Sequence, residues 1–268
     1  IELSETGGIK VNEYLQTNIE DIYACGENIE IKNSISNKEM KINDASLVVR
    51  SAKVVAENIA GIKTKFTHAL RNYIIKVFGY TIGICGCNEE ELKSADIPYY
   101  KLYFSQSNGE IYLKSSSFIN AKLLFGHDGK ILGAQLMGKK GIDKRLNIIA
   151  SIINHNGKID ELADFVMAYF PEFSKAKDMI NNMGTLSQEI LNNELKTLAL
   201  DDLVKDDILL NVCMPSSVKY FTKAHIMHLP LAAIRSNLSE ISRNKRVILA
   251  CATGYTAYIA YCLLKQRG

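Results

Sequence analysis

Residues 120–155 read NAKLLFGHDGKILGAQLMGKKGIDKRLNIIASIINH. Two apolar runs, Asn120–Phe125 and Ile131–Met137, flank the polar turn His127-Asp128-Gly129-Lys130. That pattern predicts a β-hairpin with a glycine in its turn. Gly138 and Gly141 close it, and Asp143–His155 follows as a helix whose apolar residues are Leu146, Ile148, Ile149, Ile152 and Ile153. Asn156-Gly157 stops that helix. Upstream, Tyr73–Phe78, Tyr80–Cys87, Tyr99–Ser105 and Ile111–Ser116 read as strands, with a short helix Glu89–Lys93 capped by Asn88. Downstream, Asp160–Met167 reads as a second helix. Strands followed by helices predict an α+β domain.

Further out in both directions the pattern changes. Gly8–Val11 reads as a short strand, and Ile22-Tyr23-Ala24-Cys25 as a buried strand ended by Gly26-Glu27-Asn28. Residues 31–43 are rich in Lys and Asn and predict a loop. Asp44 caps a helix Ala45–Ala60, and Gly61 ends it. Beyond the central domain, the polar stretch 183–197 predicts a linker. Leu198–Leu203, Ile208–Val212 and Ile226–Leu229 then read as strands, and Ser236–Ile241 as a short helix. Val247–Ala250 is a strand that feeds Cys251-Ala252-Thr253-Gly254-Tyr255-Thr256 and a helix Ala257–Gln266. Strand, cysteine loop and helix make a small α/β unit.

Composition narrows the function classes. The 268 residues are 47% hydrophobic and 23% charged, with a net charge of +3. This is ordinary globular usage, too evenly balanced for a nucleic-acid-binding stripe or a polybasic membrane anchor. No apolar run approaches the roughly 20 residues of a membrane span, and no leader pattern is visible. The six cysteines match no disulfide framework or metal-ligand spacing, and Cys85-Gly86-Cys87 reads as small side chains of a strand. Reduced thiols predict a cytoplasmic protein. The histidines form no HExxH, and His225 and His228, before Pro230, predict a loop. Neither GxGxxG nor a Walker A sequence occurs, so a complete dinucleotide-binding fold is not in this chain.

Three blocks carry a resemblance. The first is Gly8-Ile9-Lys10-Val11-Asn12 with Thr17-Asn18-Ile19-Glu20-Asp21-Ile22-Tyr23-Ala24-Cys25-Gly26-Glu27 and the helix ending Val54–Gly61. The second includes Lys122-Leu123-Leu124-Phe125, Gly129–Gln135, Gly141–Arg145 and Ala168-Tyr169-Phe170-Pro171-Glu172-Phe173 through Asp178. The third is Ala224-His225-Ile226, His228–Leu231, Arg235 and Val247–Thr256. In order and spacing they resemble the C-terminal part of the flavin-dependent pyridine nucleotide-disulfide oxidoreductases. The branch is the coenzyme A-disulfide reductase and NADH oxidase-like one that carries a C-terminal rhodanese domain.

The resemblance implies an α+β and α/β chain in three parts. Residues 1–62 would be the end of an FAD-binding domain, 63–186 an α+β dimerisation domain, and 195–268 an incomplete, truncated rhodanese-like domain. In the complete enzyme, FAD would pass electrons from NAD(P)H to a small thiol, disulfide or persulfide substrate. Gly26 and Glu27 would hold the flavin's ribityl chain, and the helix N-terminus at Ala45 would face its ring. Tyr169 would act at the partner's active site in a homodimer, with Phe173 beside the partner's flavin. Cys251 would carry sulfane sulfur in a loop of convergent backbone N–H groups. Several positions depart from the family pattern. Glu27 replaces an Asp, Tyr112-Leu113-Lys114-Ser115 replaces Tyr-Tyr-Pro-Gly, and Glu172 replaces a Pro. Thr256 replaces an Arg, and Asn211-Val212-Cys213 replaces Asp-Val-Arg. The family's redox cysteine has no counterpart here, so the rival expectations are a non-catalytic dimerisation module and a stand-alone sulfurtransferase.

Overall fold

The computed structural model describes residues 1–5, 7–67, 69–198, 202–213 and 225–267. Its first unit is a three-stranded sheet of β1 (Ile9–Lys10), β2 (Ile29–Lys32) and β3 (Glu39–Lys41), followed by helix α1 (Ala45–Ile59). Ile29, Ile31 and Ile42 of this sheet region bury with Leu15, Leu47 and Val54. Asp44 caps α1 by accepting from Ser46 N at 2.8 Å, as its sequence position predicts. Two expectations are corrected. Residues 31–43 hold most of a β2–β3 hairpin, because Ile31 and Ile42 supply burial that the Lys/Asn content masks. The run 22–25 is not a strand. Tyr23 makes a single bridge to Gln16, and Asp21 takes a positive φ of 63°, which turns the chain before pairing can propagate.

The second unit holds β4 (Asn72–Val77), β5 (Tyr80–Gly86), α2 (Glu89–Ser94), β6 (Tyr100–Ser107), β7 (Phe118–Phe125) and β8 (Ile131–Gly138). Helices α3 (Ile142–Asn154), α4 (Ile159–Ala163) and α5 (Met179–Leu191) follow. The strands form an antiparallel sheet in the order β4-β5-β8-β7-β6. The hairpin β7–β8 turns at Gly129, whose φ is +82°. Helix α3 lies against β5 and β8 and buries Ile142, Leu146, Ile149 and Ile153. Strand-then-helix order thus yields the expected α+β unit.

Three details of this unit differ from expectation. Residues 111–116 form turns, closed by Leu113 N to Glu110 O and by Ser116 Oγ to Glu110 O, and the strand starts only at Phe118. The helix starting near Asp160 ends at Ala163 rather than Met167. The polar stretch from 183 is mostly helix α5, not linker. Met179, Ile180, Met183, Leu186 and Ile190 make its buried face, with Asn182 and Ser187 buried among them.

The third unit comprises β9 (Ile208–Asn211), β10 (His225–His228), α6 (Leu231–Ile234), a 3-10 turn (Leu238–Glu240), β11 (Val247–Ala250) and α7 (Tyr255–Lys265). All pairings are parallel, in the order β10-β9-β11. Its core is Leu210, Val212, Leu229, Ile234 and Ala260. His225 and His228 lie in β10 rather than in a loop, since Ile226 and Met227 between them pair with Leu209 and Leu210. The helix expected over 236–241 is reduced to the 3-10 turn. The strand expected over 198–203 lies partly outside the described residues, as does Ala224. Among the described residues, no helix is long and apolar enough to cross a membrane.

Candidate functional site

Cys251 is the first residue after β11, at the carboxyl end of a parallel sheet, where open α/β folds place their ligands. Gly254 N–H donates to its Sγ at 3.0 Å and Ala257 N–H at 3.3 Å. Gly254 makes this possible with a φ of +89°, a conformation side chains disfavour. Two peptide dipoles and the start of α7 therefore point at one sulfur. Such an arrangement stabilises negative charge on it. Thr256 sits in the first turn of α7, at the position where the family pattern has Arg. Asn211 ends β9 beside Ala250 and directs its amide to His228 Nδ1 at 3.2 Å.

The loop does not stand alone. Thr253 O accepts from Ser105 N of β6 at 3.1 Å. Further along α7, Tyr258 donates to Glu189 of α5, and Tyr261 Oη donates to Glu194 O at 2.6 Å. Burial, then the hydrogen bond to Glu189, pushes the Tyr258 phenol well above its usual range. The cysteine loop is thus fixed to the edge strand of the central sheet.

The same strand leads to the second group of predicted residues. Just past β6, Glu110 N donates to Pro171 O at 2.8 Å. Tyr169 and Phe173 flank that proline, exposed at 53% and 59%. The segment is shaped by Ser174, whose Oγ reaches Ala168 O at 3.0 Å, and by Lys144, whose Nζ reaches Phe173 O at 2.6 Å. Partial burial, then the neighbouring Glu110 and Tyr112, raise the Tyr169 phenol. Tyr169, Tyr112 and Glu110 therefore share one surface. Ser105 and Glu110 are five residues apart, so this surface and the cysteine loop lie within about 17 Å of chain. Beneath them Arg145 is fully buried. It donates to Asp178 Oδ1 at 2.8 Å, to Asn108 O at 3.0 Å and to Gly141 O at 2.9 Å. Lys144, Arg145 and Asp178 lie in the second block of the sequence, but the contacts they make, and the part of Glu110, emerge only from three-dimensional proximity.

The third group lies in the first unit. Gly26 has a φ of +89° with open space where a side chain would project, and its N–H donates to Ser51 Oγ of α1 at 3.0 Å. Glu27 is exposed beside it, and Ala45 is exposed at the start of α1. Ser51 holds the open turn to α1, and the exposed Glu27 carboxylate beside it fits a hydroxyl-rich group such as a sugar chain, while the α1 N-terminus is capped by the Asp44 carboxylate. The other cysteine pair behaves differently. Burial pushes the Cys85 thiol up to about 12 and the Cys87 thiol up to about 11, so neither supplies a thiolate near neutral pH.

Known proteins share this architecture. The family model for the pyridine nucleotide-disulphide oxidoreductase dimerisation domain matches residues 74–180. A coenzyme A disulfide reductase of Staphylococcus epidermidis is 33% identical over 188 residues, which is 69% of this chain and 42% of that protein. The crystal structure of reduced CoADR-RHD from Bacillus anthracis superposes with a TM-score of 0.91 at 29% identity, over 100% of this chain and 49% of that one. A NAD-dependent persulfide reductase from A. fulgidus superposes with a TM-score of 0.91 at 27% identity and the same coverage. The chain thus spans less than half the length of these relatives. It belongs to the pyridine nucleotide-disulfide oxidoreductase family, with the family's α+β dimerisation domain followed by a rhodanese-like α/β unit. Within that family, its similarity is to the coenzyme A disulfide reductases and to the persulfide reductase.

Proposed function

We propose that this chain is the dimerising, sulfur-handling part of a flavin-dependent NAD(P)H:disulfide or persulfide reductase. The observation that carries the reading is the Cys251 loop, with two N–H groups on one sulfur at a strand-to-helix turn. A thiolate there attacks the outer sulfur of a sulfane donor, and the donor's remainder leaves with the bonding electrons. With thiosulfate, the products are a Cys251 persulfide and sulfite. The N–H groups of Gly254 and Ala257 hold charge on the cysteine sulfur before that transfer.

In this reading residues 1–62 close the flavin-binding fold, 63–186 pair two copies, and 195–268 handle sulfur. Gly26, Glu27 and the α1 N-terminus at Ala45 would hold FAD, which when bound supplies hydride acceptance from NAD(P)H. Phe173 would lie beside the partner's flavin. Tyr169 would donate its phenolic proton to a substrate sulfur across the homodimer. A phenol is protonated at neutral pH, as that task requires. The compartment is the cytoplasm, where thiol substrates stay reduced.

A second reading, a non-catalytic dimerisation module, draws on Thr256 and Asn211, which leave the loop without two charges of the family pattern. A thiosulfate-to-cyanide assay separates the two. Thiocyanate formed by the chain and lost in Cys251→Ser supports sulfur handling. No thiocyanate from either supports the module.

A further inference from the structure

Cys213 has no part in the chemistry above, yet the sheet brings it to the same edge as Cys251. Strands β9 and β11 are parallel, with Asn211 opposite Ala250. Val212 N–H donates to Ala250 O at 3.0 Å, so pairing continues one residue past both strands. That register sets Val212 beside Cys251 and Cys213 one residue beyond. The two cysteines therefore leave the same carboxyl edge on neighbouring strands, which lie about 4.8 Å apart. Both chains have left the sheet at this point. Cys213 N–H turns back onto Asn211 Oδ1 at 3.1 Å, while the Cys251 loop wraps its own sulfur. Strand alternation therefore no longer assigns the two side chains to opposite faces. Both cysteines are partly exposed, whereas Cys85 and Cys87 are buried.

We propose that Cys213 is the resolving thiol for sulfur carried on Cys251. This rests on the sulfur-accepting role of Cys251. The Cys213 thiolate attacks Sγ of the Cys251 persulfide. The Cys213–Cys251 disulfide bond forms, the bond to the outer sulfur breaks, and that sulfur leaves as hydrosulfide with the bonding pair. Cys213 is oxidised to the disulfide level and the sulfane sulfur is reduced to sulfide. Two equivalents of a small thiol then restore both cysteines and depart as their own disulfide, a substrate of the class the parent reductase family takes. The unit would thereby release sulfide rather than only pass sulfur to an acceptor.

The test uses the whole chain, with Cys213→Ser and Cys213→Ala as variants and diamide as a sulfur-free oxidant. After thiosulfate, non-reducing peptide mapping of the unsubstituted chain is expected to show Cys213 linked to Cys251, with about one sulfide released per chain. Both variants are expected to hold the persulfide on Cys251 and to release at least tenfold less sulfide. Diamide is expected to link the same two cysteines. A persulfide that persists equally in the unsubstituted chain and the variants, with no link, overturns the proposal and leaves the sulfur-accepting role of Cys251 intact. Diamide linking Cys251 to a different cysteine also overturns it. If diamide links the pair but thiosulfate leaves no sulfur and no link in any chain, the sulfur-accepting role itself fails and the resolving step falls with it.

Discussion

At the scale of single residues, the cysteine loop depends on one backbone conformation. Gly254 combines a φ of +89° with an N–H aimed at Cys251 Sγ. Gly254→Ala is expected to cost about 1–3 kcal/mol through backbone strain and to lower thiocyanate production. A thermal melt beside the sulfur-transfer assay measures both. A second residue-scale effect is acid sensitivity. Burial alone would raise Glu89, but hydrogen bonds from Lys122, Tyr99 and Lys101 outweigh it and hold its carboxyl at about 2. Its unfolded value is about 4.3, so its contribution is present above that pH and lost as pH falls from about 5 toward 2. Glu89→Gln is expected to flatten the stability-against-pH curve in that window, followed by urea unfolding at several pH values. An unchanged slope would remove Glu89 from the account. Cys251 was legible in the sequence because a cysteine between an apolar strand and a Gly-containing helix start is a local pattern. Glu110 was not, nor was the contact of Lys144, since their partners lie 61 and 29 residues away along the chain.

At the scale of elements, the central unit was legible where apolar runs and turn residues agree, as in β7, β8 and α3. Helix α5 was not. Asn182, Gly184 and Ser187 interrupt its buried face, and the first two are there for tertiary reasons. Asn182 donates to Gln106 of β6 at 2.7 Å. Gly184 meets the backbone of Ala163, where an added Cβ would lie 2.2 Å from its nitrogen. Gly184→Val is therefore expected to force α4 and α5 apart and to lower the urea midpoint by the equivalent of about 1–3 kcal/mol. The Arg145–Asp178 pair ties α3 to the start of α5, and Asp178 also caps that helix. Arg145→Met leaves Asp178 buried without its partner and is expected to cost about 3–5 kcal/mol. A loss below 1 kcal/mol in equilibrium unfolding would contradict that role.

At the scale of the whole molecule, the three units are joined by a few specific contacts. Tyr258 and Tyr261 of α7 pack against the central core while their hydroxyls bond Glu189 and Glu194. The double variant Tyr258→Phe, Tyr261→Phe is expected to loosen the rhodanese-like unit, seen as faster proteolysis between residues 192 and 207 at unchanged central-unit stability. Equal proteolysis would mean that apolar packing alone holds the units. The domain order was readable from the motif blocks because each is a run of neighbouring residues. The way the third unit docks on β6 and α5 was not, because it rests on single polar contacts between distant segments. The central claim is that Cys251 accepts sulfane sulfur. It is tested most directly by tandem mass spectrometry of the Cys213→Ser chain after thiosulfate, with the neighbouring thiol removed. The account predicts one added sulfur on the peptide containing Cys251. No added sulfur, or sulfur on another cysteine, would contradict it.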